Sequence, residues 1–204
     1  MNTFARVLTS ALLVSLMAPS LLFAQGDAAA GQAKSALCGS CHGADGNSVL
    51  SVNPKLAGQN AKYMVKQMMD FKSRARPGQT MVAMIANVSE QDMQDIAAYY
   101  ASQTVTVEGA DEASIELAQT LYRAGNQELS VAACSACHSP TGSGNEPAGY
   151  PALGGQHADY TLLQLKDFRS GTRENDEAGM MQTTVERLTD RELEALASYL
   201  SGLN

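Results

Sequence analysis

The sequence predicts an all-α protein made of two repeated helical halves behind an N-terminal signal peptide. Three observations carry that reading. The chain repeats itself at an offset of about 97 residues, apolar side chains recur at helical spacing, and the period-two alternation of strands is nearly absent. Pro54-Lys55-Leu56-Ala57-Gly58-Gln59 faces Pro151-Ala152-Leu153-Gly154-Gly155-Gln156. Tyr63, Gln67, Asp70 and Phe71 face Tyr160, Gln164, Asp167 and Phe168, and Ile96-Ala97-Ala98-Tyr99 faces Leu196-Ala197-Ser198-Tyr199. Small drifts in the offset mark loop insertions in a duplicated domain.

The elements follow in order. Arg6 is a positive n-region, and residues 7–23 are apolar apart from Thr9, Ser10, Ser15, Pro19 and Ser20. Ala24 offers a small residue for cleavage, so 1–24 reads as a secretory signal peptide cleaved near that residue. Its broken apolar run and Pro19 argue against a retained membrane anchor. The N-terminal domain is placed at 25–103. It opens with an Ala-rich helix from Asp27 to Leu37 and continues with a helix from Gln59 to Arg74, apolar at Tyr63, Met64, Met68 and Phe71. It ends with a helix from Ser89 to Ser102, whose first turn carries Ser89, Glu90 and Asp92 as cap and acidic residues. Residues 104–112 contain Val-Thr-Val, then Gly and acid, with no helical period, and form the linker. The C-terminal domain is placed at 113–204, and its last helix starts at the capping box Thr189-Asp190-Arg191-Glu192.

Each half contains one copy of Cys-x-x-Cys-His, Cys38-Gly39-Ser40-Cys41-His42 and Cys134-Ser135-Ala136-Cys137-His138, and together they use all 4 cysteines. This is the attachment signature of a c-type haem. Two residues between the thiols, in a helical turn, let both sulfurs reach one edge of a porphyrin, and the following His lies under the ring. A zinc site or structural disulfides would leave the two histidines unexplained, and a thioredoxin-like pair would need one CxxC near a strand-helix-strand pattern, whereas here the surroundings are helical and the motif occurs twice. The sequence thus calls for two covalently bound haem c groups, with Cys38, Cys41, Cys134 and Cys137 as thioether donors and His42 and His138 as axial ligands.

An electron carrier needs a further axial ligand, commonly a thioether. Counting seven residues back from Val88 and Leu188, at the start of each last helix, reaches Met81 and Met181, the only methionines at equivalent positions. Met84 and Met180 are the rivals, with Thr184 and Thr80 as their counterparts. Both chosen residues are expected in loops. Pro54 and Pro151 are expected to fix the loop passing each proximal His, with a nearby carbonyl accepting the imidazole N–H. His157 is the only other His, and its counterpart is Asn60, so it reads as a surface or capping residue. No residue is assigned a catalytic role.

The formal charge is −7, and Arg6 is the only charge in 1–24, so the mature chain is one unit more acidic. That excludes ordinary nucleic-acid binding and suits a carrier that docks on basic faces. With 5% aromatic residues and no Trp the side-chain core is thin, and two buried haems would supply apolar volume.

These motifs, together with Cys41-His42-Gly43-Ala44-Asp45-Gly46-Asn47, Gly154-Gly155-Gln156-His157 and Asp95-Ile96-Ala97-Ala98-Tyr99-Tyr100, resemble the cytochrome c4 family, the dihaem branch of the class I cytochromes c. The resemblance covers the whole mature chain. It implies two class I domains related by a pseudo-two-fold axis, haem propionate edges close together, and periplasmic single-electron transfer. It further implies a cytochrome bc complex or other donor and a terminal haem–copper oxidase as acceptor. The chain is expected to be a monomer, with peripheral membrane association left open. One departure is visible: Arg76 to Met81 is three residues shorter than Arg173 to Met181. A dihaem peroxidase-like enzyme, or a haem subunit of a membrane complex, is the alternative reading.

Overall fold

The computed structural model describes residues 26–204, and the expected signal peptide lies outside them. The first half holds α1 (Ala28–Lys34), α2 (Ala36–His42), α3 (Ala61–Ser73), α4 (Gln79–Ile85) and α5 (Glu90–Ala101). The second holds α6 (Ile115–Ala124), α7 (Ser135–His138), α8 (Ala158–Ser170), α9 (Met180–Val185) and α10 (Asp190–Ser201). The fold is all-α as expected. Among the described residues the only β pairing is two isolated bridges, Asn126 with Val131 and Asn145 with Tyr150, and no helix is long and apolar enough to cross a membrane.

Each half is a first helix and a middle helix laid against a last helix: α1 and α3 against α5, α6 and α8 against α10. The helices begin where short polar side chains satisfy free amides. Asp27 accepts from the Ala29 and Ala30 amides, and Ser89 accepts from the Asp92 amide. Thr189 and Glu192 form the capping box read from the sequence. Such caps are each worth about 1 kcal/mol. Asp95, on α5, binds the other end of the crossing. Its carboxylate takes the Asp27 amide at 2.9 Å and the Lys34 ammonium at 2.5 Å, so both ends of α1 are tied to one side chain.

The halves differ where they pack. The second half carries a nine-residue insertion, 125–133, between its first helix and its motif, closed by the Asn126–Val131 bridge. The motif helix is consequently one turn in α7, where α2 has seven residues. Both last helices carry a tyrosine, Tyr99 and Tyr199, that stacks at a tilt on a second ring. In the first half that ring is Tyr100, from α5 itself, at 5.1 Å; in the second it is Tyr122, from α6, at 5.7 Å. Both second rings are fully buried. The Tyr100 counterpart is Leu200, and the residue four after fully buried Ala118 is Tyr122 where the residue four after Gly31 is Ser35. One hole next to the motif is therefore filled from opposite helices in the two halves.

The segment between the halves is extended and pinned on both sides. Asn47 bonds the Thr104 carbonyl and the Thr106 amide, while the Glu108 amide donates to the Ser201 carbonyl and the Asp111 amide to Ser198 Oγ. The facing surfaces of the halves then meet through paired residues at the repeat offset. Arg76 donates to Gln67 of its own half and to Tyr160 and Gln164 of the other. Arg173 does the converse, with Gln164, Tyr63 and Gln67. Each guanidinium also lies over a phenylalanine of its own half, Phe71 at 4.7 Å and Phe168 at 4.4 Å.

Two outcomes follow for the α1–α5 crossing. A Cβ on Gly31 would stand 1.9 Å from the Asp95 carbonyl oxygen and 2.9 Å from Tyr99 Cβ. Gly31→Ala should lower stability by about 1–3 kcal/mol, read as a lower guanidinium midpoint. The Asp95 carboxyl is held down to about 2, first by the Lys34 hydrogen bond and then by the Asp27 amide. A depressed carboxylate stabilises the fold above its unfolded value near 4, and that contribution is lost as pH falls toward 2. Asp95→Asn should flatten the decline in stability between about pH 4 and 2, measured by unfolding at stepped pH.

Candidate haem sites

The motif histidines occupy the C-terminal ends of α2 and α7, and the glycine or serine after each turns the chain through positive φ, 83° at Gly43 and 66° at Ser139. Both rings are buried, His42 at 7% and His138 at 6% exposure. His42 Nδ1 lies 2.8 Å from the Pro54 carbonyl oxygen, and His138 Nδ1 lies 3.0 Å from that of Pro151. A carbonyl only accepts, so each Nδ1 carries the proton. Burial pushes both imidazoles below their ordinary value, outweighing the raising effect of the proline carbonyl, and the neutral ring is the stable form. Nε2 is then the unprotonated nitrogen, and it has no protein hydrogen bond among the described residues. This is the tautomer a metal-ligating imidazole requires. The expected carbonyl acceptors are the two prolines themselves.

None of the four motif cysteines is in a disulfide. Cys41 is exposed and the others are partly buried. Burial raises the Cys38 thiol and pushes Cys134 up to about 11. Uncharged sulfur suits these apolar edges, as a thioether would. The two pairs are not brought together, and no group of three His, Cys, Asp or Glu placed to hold a metal ion occurs among the described residues. Neutral imidazoles, neutral sulfurs and apolar walls therefore fit haem c.

Met81 and Met181 do not sit in loops. They lie in the first turns of α4 and α9, helices of 7 and 6 residues. Glycines at the N-cap positions open both turns, Gly78 with φ 151° and Gly179 with φ 67°. In the second half the Asp176 carboxylate takes the Met181 amide at 2.7 Å. Sequence periodicity is weak over one or two turns, so helices this short look like loops in the sequence. The three extra residues of the second half form a single 3-10 turn, Glu177–Gly179, with Ala178 at φ 53°. Beyond it the halves coincide: Met81 and Met181 are both half-buried, and Ile85 and Val185 are both buried four residues on. Met180 is 39% exposed, and the Tyr150 hydroxyl approaches its sulfur at 3.9 Å.

His157 is neither a surface residue nor a side-chain cap. It occupies the N-cap position of α8, but its side chain caps nothing and is only 5% exposed. Nε2 lies 2.9 Å from the Ser48 carbonyl oxygen in the first half, and Nδ1 lies 2.8 Å from Glu108 in the connecting segment. Lys55, also buried, reaches the same carboxylate at 2.9 Å and the Thr106 carbonyl at 2.7 Å. Asn60, the counterpart of His157, likewise reaches across, donating to the Tyr150 carbonyl at 2.6 Å. The partners of His157 are 49 and 109 residues away, so local pattern could not reveal them.

Sequence reasoning also assigned no role to Gln59, Gln67, Arg76, Gln156, Gln164 and Arg173. All but Gln164 are buried, and all six serve the seam between the halves. The available sign was polar identity kept at repeat positions on otherwise apolar faces. Burial pushes the Tyr63 phenol up, but the guanidiniums of Arg173 and Arg76 outweigh it and hold it below its ordinary value.

A CxxCH helix end whose imidazole is locked by a proline carbonyl, made twice in an all-α frame, defines a c-type cytochrome with two covalently bound haem c groups. The model of the Cytochrome c family matches residues 28–104 and again 118–204. Cytochrome c4 of Azotobacter vinelandii is 47% identical over 95% of this chain and 97% of its own, and that of Pseudomonas aeruginosa is 48% identical over 95% and 96%. The crystal structure of reduced recombinant cytochrome c4 from Pseudomonas stutzeri superposes with a TM-score of 0.84 at 46% identity, covering 88% of this chain and 100% of that one. The chain belongs to the cytochrome c4 family and is a dihaem electron-transfer cytochrome.

His157→Leu removes the donors held by Ser48 and Glu108 at the seam. It should lower stability by about 1–3 kcal/mol while leaving two haems per chain, checked by guanidinium unfolding and a haem assay.

Proposed function

We propose that the protein carries single electrons in the periplasm through two haems, each ligated by one histidine and one methionine. Cys38 and Cys41 would hold the first haem, with His42 and Met81 on its iron. Cys134 and Cys137 would hold the second, with His138 and Met181. The domains are taken as 25–103 and 113–204, joined by 104–112. The observation that carries the reading is the duplicated pair of an Nδ1-protonated, buried imidazole and an equally half-buried methionine at the same distance from the last helix.

Bound haem supplies an iron that cycles between ferric and ferrous states. The chain's own residues supply the rest. The proline carbonyls fix the ring plane and tautomer of each histidine. The apolar clusters around Cys38, Met64 and Tyr100, and around Cys134, Met181 and Leu193, exclude water from the cofactor faces. A ligand set suited to both oxidation states keeps reorganisation small. The buried guanidiniums of Arg76 and Arg173 have no carboxylate within salt-bridge distance among the described residues, and haem carboxylates would meet that charge at the seam between the halves. The acidic chain fits donors and acceptors with basic docking faces, with a cytochrome bc complex or other donor upstream and a haem–copper oxidase downstream.

The test is an optical spectrum of the exported protein with haem counted per chain. Two haems are expected, with the weak far-red band of a ferric iron–methionine bond. Met81→Ala and Met181→Ala should each remove about half of that band. A high-spin ferric haem in the unaltered protein, or carbon monoxide binding to its reduced form, would overturn the carrier reading in favour of an enzyme.

A further inference from the structure

The peptide that orients each proximal histidine is itself gripped by the opposite half. The Pro54 carbonyl, which accepts from His42, and the Lys55 N–H are two ends of one peptide group. That N–H donates to Gln156 Oε1 at 2.8 Å, and Gln156 Nε2 returns a bond to the Lys55 carbonyl at 2.9 Å. The arrangement is repeated in reverse. The Pro151 carbonyl accepts from His138, and the Ala152 N–H of the same peptide group donates to Gln59 Oε1 at 2.8 Å. Gln59 Nε2 donates to the Ala152 carbonyl at 2.8 Å. Gln59 is 8% and Gln156 9% exposed, so water competes little for either clasp.

We propose that Gln156 and Gln59 are positioning residues that set the ligand strength of the proximal histidine in the other half: Gln156 acts on His42, and Gln59 on His138. The inference rests on the histidine ligation proposed above. The physics is that of a hydrogen-bonded chain. An acceptor at a peptide N–H draws the amide toward its charge-separated form and makes its carbonyl a better acceptor, and bonds in such a chain strengthen one another. A better acceptor at Nδ1–H makes the imidazole a stronger donor to a metal at Nε2. A stronger donor favours ferric iron and lowers the potential. Each glutamine holds its own place as well: Gln156 Oε1 accepts the His157 amide at 3.1 Å and Gln59 Oε1 the Asn60 amide at 2.9 Å, at the heads of α8 and α3. Contact between the halves is thereby conveyed to both histidines through two bonds and one peptide.

The test compares the holoprotein with Gln156→Met and Gln59→Met, which keep side-chain length and remove both bonds to the opposite half along with the bond from the next amide. The potential of each haem is followed separately by proton NMR during reductive titration. Gln156→Met should raise the potential of the haem on Cys38 and Cys41 and leave the other unchanged. Gln59→Met should raise only the haem on Cys134 and Cys137. The far-red band of the unaltered protein reports the ligation separately; its absence would defeat the ligand assignment before any potential is compared. With the band present, potentials that move together, that move in the mutated half, or that do not move overturn the inference. Should a methionine variant fail to assemble, Gln156→Glu keeps an acceptor, now charged, at the Lys55 N–H and gives up the donor to the Lys55 carbonyl. It should lower the haem on Cys38 and Cys41 by more than the other, and an equal fall in both overturns the inference.

Discussion

A buried imidazole offers a metal only one nitrogen, and the other must give its proton to a fixed acceptor. In this chain that acceptor is a proline carbonyl in each half, 2.8 Å from His42 and 3.0 Å from His138. A proline holds its own φ, and the chain immediately after it is fastened to the opposite half, so neither carbonyl is free to swing. The remainder of the structure can be understood as what is needed to keep those two carbonyls in place. The last helices carry the first and middle helices, the middle helices start just after the clasping glutamines, and the seam binds the two loops to one another.

The seam is built for directional grip more than for apolar burial. Its members are amides, two half-buried phenols and two buried guanidiniums, and each guanidinium finds acceptors in both halves. Buried polar groups are costly when unsatisfied and specific when satisfied. An arrangement of this kind admits one register between the halves, because a slip would leave amides and guanidiniums unpaired together. That rigidity suits a relay between two centres, whose rate depends on a fixed separation. The seam is asymmetric at its flank, where Lys55 and His157 both meet Glu108 while the matching positions are Ala152 and Asn60, and beside the arginines, where Asn175 donates to Gln67 and Asp70 with no matching bond from the first half among the described residues.

Much of this was legible in the sequence. The motifs, the duplication, the long helices and the last-helix caps rest on local spacing, and local spacing is what a sequence displays. The proline loops were legible as fixtures for the histidines because a proline follows each motif histidine at nearly the same distance, 12 residues in one half and 13 in the other. The short helices α4 and α9 were not, since they run for less than two turns and begin at glycines. The burial of His157 was not, since its environment is assembled from Ser48 and Glu108. Gln59 and Gln156 were visible as a repeat yet carried no meaning alone. A repeat offset reports that two residues are equivalent, and only the fold shows that each meets the other's loop.

The tyrosine exchange shows what duplication preserves. Ser35 and Tyr100 in one half correspond to Tyr122 and Leu200 in the other, so the ring beside the motif arrives from α5 in the first case and from α6 in the second. Both rings are fully buried, and burial raises both phenols, to about 12 for Tyr100. A core tolerates such an exchange because it needs filled volume at a place, irrespective of which helix supplies it. A hydrogen-bonded loop has no equivalent freedom: moving an acceptor by one residue reverses its direction. The two halves therefore diverge in packing and in the 125–133 insertion while keeping the proline carbonyls, the clasping glutamines and the paired arginines at one offset, which locates the strictest constraint in the seam and the loops it holds.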